Sequence, residues 1–191
     1  MISTNGFRKQ KNHALLLHAF KQLNLPDTEL WLIGKGPREE QIRLLAENMG
    51  IGHKVRFLGF QSNPYKYLRR AHCYVCASNY EGFPNVLLEA IACSLPVVSV
   101  DCKFGPREIL APTTDFSTQI TEGLEIAAHG ILTPVGKMEN LAFAMLILYA
   151  DHELRLRFKR SALKRAREFD HLNISNKYAD LLRKEIKNVV F

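Results

Sequence analysis

The sequence has no long apolar run, and it is poor in cysteine and tryptophan. No stretch approaches the ~18 apolar residues of a membrane-spanning helix, and the N-terminal residues lack the apolar core of a signal peptide. We therefore expect a cytoplasmic protein. Cys73 and Cys76 form a CxxC pair, but neither a second pair nor histidines follow at zinc spacing. Because this pair lies inside an apolar run typical of a strand, we predict buried thiols.

Several motifs of well-defined chemistry are also absent. The turn GKGP at residues 34–37 lacks the P-loop spacing, and no serine has the G-x-S-x-G context of a hydrolase nucleophile. There is no Asp-x-Asp pair of the kind that holds a divalent ion on a diphosphate. No motif in the sequence therefore points to a metal site or a separate cofactor.

Acidic residues are fewer than basic ones, and the excess of positive charge lies at one end. The 191 residues carry a net charge of +7, and residues 151–191 hold 11 Lys/Arg against 6 Asp/Glu, which is +5 of that total. A basic segment of this kind fits nucleic acid, an anionic membrane surface or an acidic substrate, and equally a solvated helix face. At ~150 residues per domain, the length predicts one domain with additional chain.

Apolar patterns typical of strands and helices alternate along the chain. Residues 12–23 place their apolar side chains on one helical face, whereas 96–100 is a β-branched run typical of a buried strand. This alternation predicts an α/β fold, with a Rossmann-like parallel sheet covered by helices on both faces. The predicted strands are 2–7, 29–33, 55–60, 72–77, 96–100 and 130–133, and the predicted helices are 12–23, 38–49, 65–70, 84–93, 106–110, 137–150, 151–169 and 174–189, with a polar loop at 111–122.

Ligands of such sheets bind beyond the carboxyl ends of the strands. The loop after the fourth predicted strand contains Glu81, and Glu89 follows eight residues later. A fully helical connection would separate the two by ~12 Å along the axis, which is too wide for the carboxylate pair of a retaining glycosidase. The two could instead hold opposite ends of an extended ligand, with an anion at the helix start between them. The spacing alone equally fits a solvated loop acid and a surface helix acid.

The segment YEGFPNVLLEAIACSLPVVSVDCKFGPREIL resembles the signature region of the group 1 glycosyltransferases, a retaining family with the two-domain GT-B architecture. Glu81 and Glu89 match the family's E-x7-E motif. KQKNHALLLHAF, LWLIGKGP and VRFLGF precede this segment in the family's order, and GILTPVGKMENLAFAMLILYAD follows it. The similarity covers nearly the whole chain.

The resemblance implies roles for particular residues. Glu81 and Lys11 would form the catalytic pair, with Glu81 on hydroxyls of the donor sugar and Lys11 on the diphosphate. Glu89 would bind the ribose hydroxyls. The other implied donor contacts are Gly82 and Phe83 near the sugar, the amides of Asn85 and Val86 at the diphosphate, Gly34, Lys35 and Gly36 along the nucleotide cleft, and Phe60 beside the base.

The chain departs from the family pattern in two respects. Gly6 occupies the position where the family often has a second diphosphate cation, an arginine. In addition, the chain resembles only the donor-binding C-terminal half of the GT-B architecture. We therefore expect residues 1–169 to form the nucleotide-sugar-binding domain and residues 170–191 to pack on a missing N-terminal acceptor domain. Alone, this half would bind the donor and transfer little.

The implied reaction moves a sugar from a nucleoside diphosphate to a hydroxyl acceptor, with retained anomeric configuration and without a metal. The resemblance favours UDP-sugars over GDP-mannose, and a role in polysaccharide, lipopolysaccharide or glycolipid synthesis. The basic C-terminal segment is compatible with a peripheral location on the inner face of an anionic membrane. Two alternatives stay open: a nucleotide-sugar-binding or epimerase-type relative, and a basic nucleic-acid-binding module. Since zinc spacing, aromatic-basic interleaving and a helix-turn-helix pattern are missing, we expect no nucleic-acid partner.

Overall fold

A computed structural model of the protein describes residues 1–189, which form a seven-stranded sheet with helices on both faces. The strands are β1 (Ile2–Ser3), β2 (Leu30–Leu32), β3 (Val55–Phe57), β4 (Tyr74–Cys76), β5 (Val97–Val100), β6 (Glu125–Ile126) and β7 (Ile131–Thr133). The helices are α1 (His13–Leu23), α2 (Glu39–Asn48), α3 (Tyr65–Leu68), α4 (Asn85–Ala92), α5 (Pro106–Leu110), α6 (Met138–Ala150), α7 (His152–Arg167) and α8 (His171–Val189), with 3₁₀ turns at Lys9–Lys11 and Gly52–Lys54.

The sheet is parallel except at one edge. Its strand order is β3-β2-β1-β4-β5-β7-β6, and the short β6 runs antiparallel to β7. The chain first builds outward from β1 to β3 and then returns to place β4 on the other side of β1. This reversal opens a crevice at the carboxyl ends of β1 and β4, where ligands of doubly wound sheets bind. The predicted α/β class and parallel sheet are confirmed.

Each face of the sheet buries its own layer of helices. On one face, α1 packs against α6, and Leu16 and Met145 lie in the core with almost no exposure. On the other face, α4 packs against α7, and Leu87 and Ile91 lie in a second core. Because both faces are covered, β4 and β5 consist of fully buried residues.

Some predicted boundaries were wrong. The first strand ends at Ser3 instead of residue 7, because the Thr4 N–H turns to the Tyr74 hydroxyl at 3.4 Å and leaves the ladder. The edge strand β6 was missed, since two residues are too few to show a periodicity. The last helix begins at His171 instead of residue 174, and the Asp170 carboxylate accepts the Asn173 N–H at 2.8 Å as its N-cap.

The C-terminal helix α8 leaves much of its apolar surface uncovered. Whether residues 170–191 pack on another domain stays a prediction, and residues 190 and 191 lie outside the described part. Within residues 1–189, no helix combines the length and apolarity needed to cross a bilayer. In residues 171–186 of α8, whose side chains are described, the large exposed apolar ones are Leu172, Tyr178, Leu181, Leu182 and Ile186.

Candidate functional site

The loops that follow β1 and β4 are joined by hydrogen bonds. The Asn79 N–H donates to the Gln10 carbonyl at 2.7 Å, and the Asn12 side-chain amide donates to the Asn79 Oδ1 at 2.8 Å. Asn12 has φ 46°, a left-handed conformation that asparagine tolerates, and its side chain caps α1 by accepting the Leu15 N–H. These contacts hold the 3₁₀ turn Lys9–Lys11 beside the segment that contains Glu81.

Lys11 and Glu81 form an ion pair in the crevice. The Lys11 ammonium lies 2.6 Å from the Glu81 Oε1 and 2.8 Å from its Oε2. Both side chains are largely buried, with 18% and 10% of their surface exposed. An ammonium has three N–H donors, so this geometry leaves one donor for a further acceptor. The structure therefore brings the two predicted catalytic residues together.

The start of α4 differs from the predicted one. The helix begins at Asn85, and Pro84 has φ −79° and ψ 87°, close to an inverse γ-turn. In this turn the Asn85 N–H, predicted to face a diphosphate, donates to the Phe83 carbonyl at 3.0 Å. Since Glu81 precedes α4 by a non-helical loop, the ~12 Å helical separation from Glu89 does not apply.

A cavity of about 300 Å³ opens beside this loop, at the carboxyl ends of the first three strands. Five of the predicted donor contacts line it: Gly34, Lys35, Phe60, Val86 and Glu89. Glu89 lies at the same cavity, on the first turns of α4. The cavity therefore joins residues that are far apart in the sequence and that the prediction assigned to one nucleotide.

Glu89 is a half-buried carboxyl without an ion-pair partner among the described residues. Burial raises the pKa of Glu89 above its usual value of 4.5. Burial removes water from the carboxylate, and no positive charge among the described residues takes its place. Hydroxyl donors of a ligand would restore these hydrogen bonds, and two adjacent hydroxyls can be bound by one carboxylate.

Glycine is required at two positions of the cavity's frame. Gly34 has φ 147°, and a Cβ there would lie 2.4 Å from the Asn5 carbonyl oxygen. A Cβ at Gly36 would lie 2.6 Å from the Phe7 carbonyl oxygen, so Gly36 packs against the loop after β1 and does not itself line the cavity. The two glycines allow the loops after β1 and β2 to approach closely.

Gly82 and Phe83, two of the predicted donor contacts, do not line the cavity. Gly82 is exposed, and a Cβ there would meet no atom within 4 Å. The Phe83 ring contacts the Phe169 ring, with centroids 5.5 Å apart, and the Arg165 guanidinium lies 4.5 Å from the Phe169 ring. Their proposed proximity to a sugar stays a prediction.

The sequence interpretation missed several residues of the cavity. Thr4 and Asn5 line it but fell inside the overlong first strand of the prediction. Gln61 also lines it, with its amide donating to the Leu58 carbonyl at 2.7 Å and its oxygen accepting from Tyr67 at 3.2 Å. The signal that could have found these residues is their position directly after strand ends.

A buried ion-pair network supports the loop after β5. The Asp101 side chain is fully buried and accepts two hydrogen bonds from the Arg107 guanidinium, at 2.5 and 3.2 Å. The same guanidinium donates to Glu125 and Thr114, each at 3.0 Å. The network therefore connects β5, α5, the following loop and β6.

This supported loop packs directly on the segment before α4. Gly105 has φ 87°, and a Cβ there would lie 2.2 Å from the Pro84 Cδ and 3.0 Å from the Gly82 carbonyl oxygen. The loops after β4 and β5 are therefore in backbone contact. Among residues 1–189, no group of three or more His, Cys, Asp and Glu side chains is placed to hold a metal ion.

The model of the family "Glycosyl transferases group 1" matches residues 1–165. The chain belongs to this family. Its fold is that of the GT-B glycosyltransferases: the Anabaena protein HepE, solved in complex with UDP, superposes with a TM-score of 0.79 over 96% of this chain and 48% of that one, at 22% identity.

Two curated relatives of this group 1 chain are similar in sequence. An uncharacterised glycosyltransferase of Methanocaldococcus jannaschii is 32% identical over 88% of this chain and 46% of its own length. The N-acetylgalactosamine-N,N'-diacetylbacillosaminyl-diphospho-undecaprenol 4-alpha-N-acetylgalactosaminyltransferase of Campylobacter jejuni is 33% identical over 92% of this chain and 44% of its own length. The chain therefore spans about half the length of these relatives.

Proposed function

We propose that this group 1 chain is the donor-binding half of a retaining glycosyltransferase that takes its sugar from a nucleoside diphosphate. The observation that carries the proposal is the arrangement of three residues along one crevice. The Lys11–Glu81 pair stands at the ends of β1 and β4, and Glu89 lines the neighbouring cavity. A cation paired with one carboxylate, and a second carboxylate in the adjoining cavity, match a donor that carries a diphosphate between two hydroxyl-bearing sugars.

The contacts of each side chain suggest its part in the reaction. The remaining N–H of the Lys11 ammonium would donate to a diphosphate oxygen and stabilise the negative charge that develops as the nucleoside diphosphate leaves. Glu81, neutralised by Lys11, would accept hydrogen bonds from the donor sugar. Glu89 would accept them from the ribose at the cavity.

Retention and independence of a metal are part of the same proposal. In a front-face displacement, the acceptor hydroxyl attacks the anomeric carbon from the side of the departing phosphate, which takes the hydroxyl proton. Such a step needs no nucleophile from this half of the enzyme. The Lys11 ammonium would supply positive charge at the diphosphate, the role that a divalent ion has in other transferases.

The base and the remainder of the enzyme are further proposals. We favour UDP over GDP-mannose, a preference supported by the UDP complex of the similarly folded HepE. Because the chain spans about half of its relatives, we propose that transfer needs a separate acceptor domain. The Campylobacter jejuni relative is named for an acceptor on diphospho-undecaprenol, which supports a phosphate-bearing glycolipid or polysaccharide acceptor at a membrane surface.

Calorimetric titration of UDP, GDP and their sugars into the 191-residue chain tests the proposal. We expect UDP to bind and Glu89→Gln to weaken it by about 10- to 100-fold, since a hydrogen bond to a charged group contributes ~1.5–3 kcal/mol. Glu40→Gln, on the exposed side of α2, is the matched control and should bind like the wild type. Failure of all these nucleotides to bind the folded chain contradicts the proposal.

A further inference from the structure

A second cavity lies at the same edge of the sheet, on the other side of the Lys11–Glu81 pair. Its volume is about 400 Å³. Asn79 after β4, Lys103 after β5 and Pro134 after β7 form its base, and residues 119–121 form its wall. The first cavity lies over β1, β2 and β3, so the two are arranged across the sheet with the ion pair between them.

The wall of this second cavity is fixed to the core although it belongs to a long polar loop. The Ile120 N–H donates to the buried Asp101 carboxylate at 2.9 Å, and Asp101 is held in turn by Arg107. Arg107 also binds Thr114 in the same loop and Glu125 at its end. The loop is therefore attached at three points, which makes the cavity a preformed feature.

The chemistry of the second cavity is cationic and hydrogen-bonding. The Lys103 side chain is exposed, and its ammonium lies 5.1 Å from the Phe104 ring. Asn79 and Thr121 add an amide and a hydroxyl, and none of the lining residues is acidic. A lysine with polar neighbours and without a carboxylate is suited to a phosphate group.

The base of the cavity is connected to the ion pair. Asn79 lies two residues before Glu81 and contacts both Gln10 and Asn12, the neighbours of Lys11. On the other side, Lys103 directly follows the buried Cys102, which anchors the start of the loop after β5 in the core.

We infer that this second cavity binds a phosphate group of the acceptor, with Lys103 as its principal contact. The inference rests on the proposed function, in which the donor's nucleoside lies in the first cavity and its sugar at Glu81. Lys103, Asn79 and Thr121 lie beyond Glu81 on the side of β5 and β7, where they would contact a phosphate group of an acceptor that reaches the sugar from that side. Phosphate esters of soluble polymers and of lipids share this chemistry.

The test uses the 191-residue chain saturated with UDP, so that phosphate is excluded from the donor site. sn-Glycerol 3-phosphate is titrated as the soluble probe, and phosphatidylcholine vesicles with or without a polyprenyl phosphate are the lipid probe. We expect binding to at least one probe, weakened about 10-fold or more by Lys103→Gln because a charge-assisted hydrogen bond is lost. Preference for one probe identifies the source of the phosphate.

Two variants keep the test specific. Lys159→Gln removes the same charge from an exposed position of α7 and should leave binding of both probes unchanged. Thr121→Glu places a negative charge at an exposed position of the wall. It should weaken binding of the probes, because the carboxylate repels their phosphate, while UDP affinity stays constant. If UDP binds but neither probe does, or if Lys103→Gln leaves the affinity for the probes unchanged, the cavity does not bind phosphate. If UDP itself fails to bind, the proposed donor site is wrong.

Discussion

The Lys11 ammonium bridges both carboxylate oxygens of Glu81, although the two residues are separated by 70 positions in the sequence. The pair is therefore a product of the sheet order, in which β4 returns to lie beside β1. It also places a cation and an anion at the same point of a ligand crevice. A ligand phosphate and a ligand hydroxyl can each find a complementary partner there.

Lys11→Met should reduce UDP affinity by about 10- to 100-fold, because it removes a charged hydrogen-bond donor from the diphosphate. It should also lower the free energy of unfolding by ~1–3 kcal/mol, since the largely buried Glu81 carboxylate loses its partner. Calorimetry and urea denaturation measure the two effects. The double variant Lys11→Met, Glu81→Gln should recover stability but not affinity, whereas Lys9→Met, at an exposed neighbour, should change neither.

UDP binding should weaken as the pH falls, with a midpoint above 4.5. Burial raises the pKa of Glu89. The carboxylate that would bind the ribose is therefore protonated at a higher pH than that of an exposed glutamate. Titrations between pH 5 and 8 measure the effect, with Glu89→Gln as the control that lacks this titration. An identical pH dependence in the variant would show that another group is responsible.

The same pKa shift predicts the sign of a stability change. A carboxyl whose pKa is higher in the folded state contributes stability below its unfolded pKa and loses that contribution as the pH rises through the folded value. Glu89→Gln should therefore raise Tm slightly at pH 7, and the difference should disappear below about pH 4.5. Thermal unfolding of the free chain at both pH values checks this; a lower Tm at pH 7 would be the opposite of the expected result.

Arg107→Met should destabilise the protein by ~3–5 kcal/mol, because it leaves the fully buried Asp101 carboxylate without its charge partner. The double variant Asp101→Asn, Arg107→Met should be less destabilised than the sum of the single variants. Denaturant unfolding of the four proteins gives the coupling free energy. Strict additivity would mean that the pair contributes no interaction of its own.

Gly34→Ala should abolish UDP binding and lower Tm, since its Cβ would lie 2.4 Å from the Asn5 carbonyl oxygen in a loop that lines the cavity. Gly82→Ala is the steric control for stability, because its Cβ would meet no atom within 4 Å. Thermal unfolding and calorimetry distinguish the two variants. Equal Tm values for both would contradict the close approach of the loops after β1 and β2.

The class of fold was accessible from the sequence because long helices and buried strands leave strong periodic patterns. Residues 97–100 are apolar or small throughout, as a strand covered on both faces must be. The ends of elements were less accessible, because tertiary contacts determine them. The Tyr74 hydroxyl that takes the Thr4 N–H is distant in sequence, and no local pattern could indicate that β1 stops there.

The candidate site was predictable where a motif carried it and unpredictable where the fold created it. Glu81, Glu89 and Lys11 were identified from a family resemblance, but their mutual geometry was not. The Asn85 amide was assigned to a diphosphate without knowledge of the γ-turn at Pro84 that uses it. The Asp101–Arg107 network was missed because two opposite charges six residues apart are common in any sequence.

The contact between Phe83 and Phe169 has a practical consequence for shortened versions of the protein. The family model ends at residue 165, which invites truncation near that point. A chain cut there would lose the aromatic ring on which the tip of the loop before α4 rests. Ligand-binding studies should therefore use chains that extend past Asp170, which is also the N-cap residue of α8.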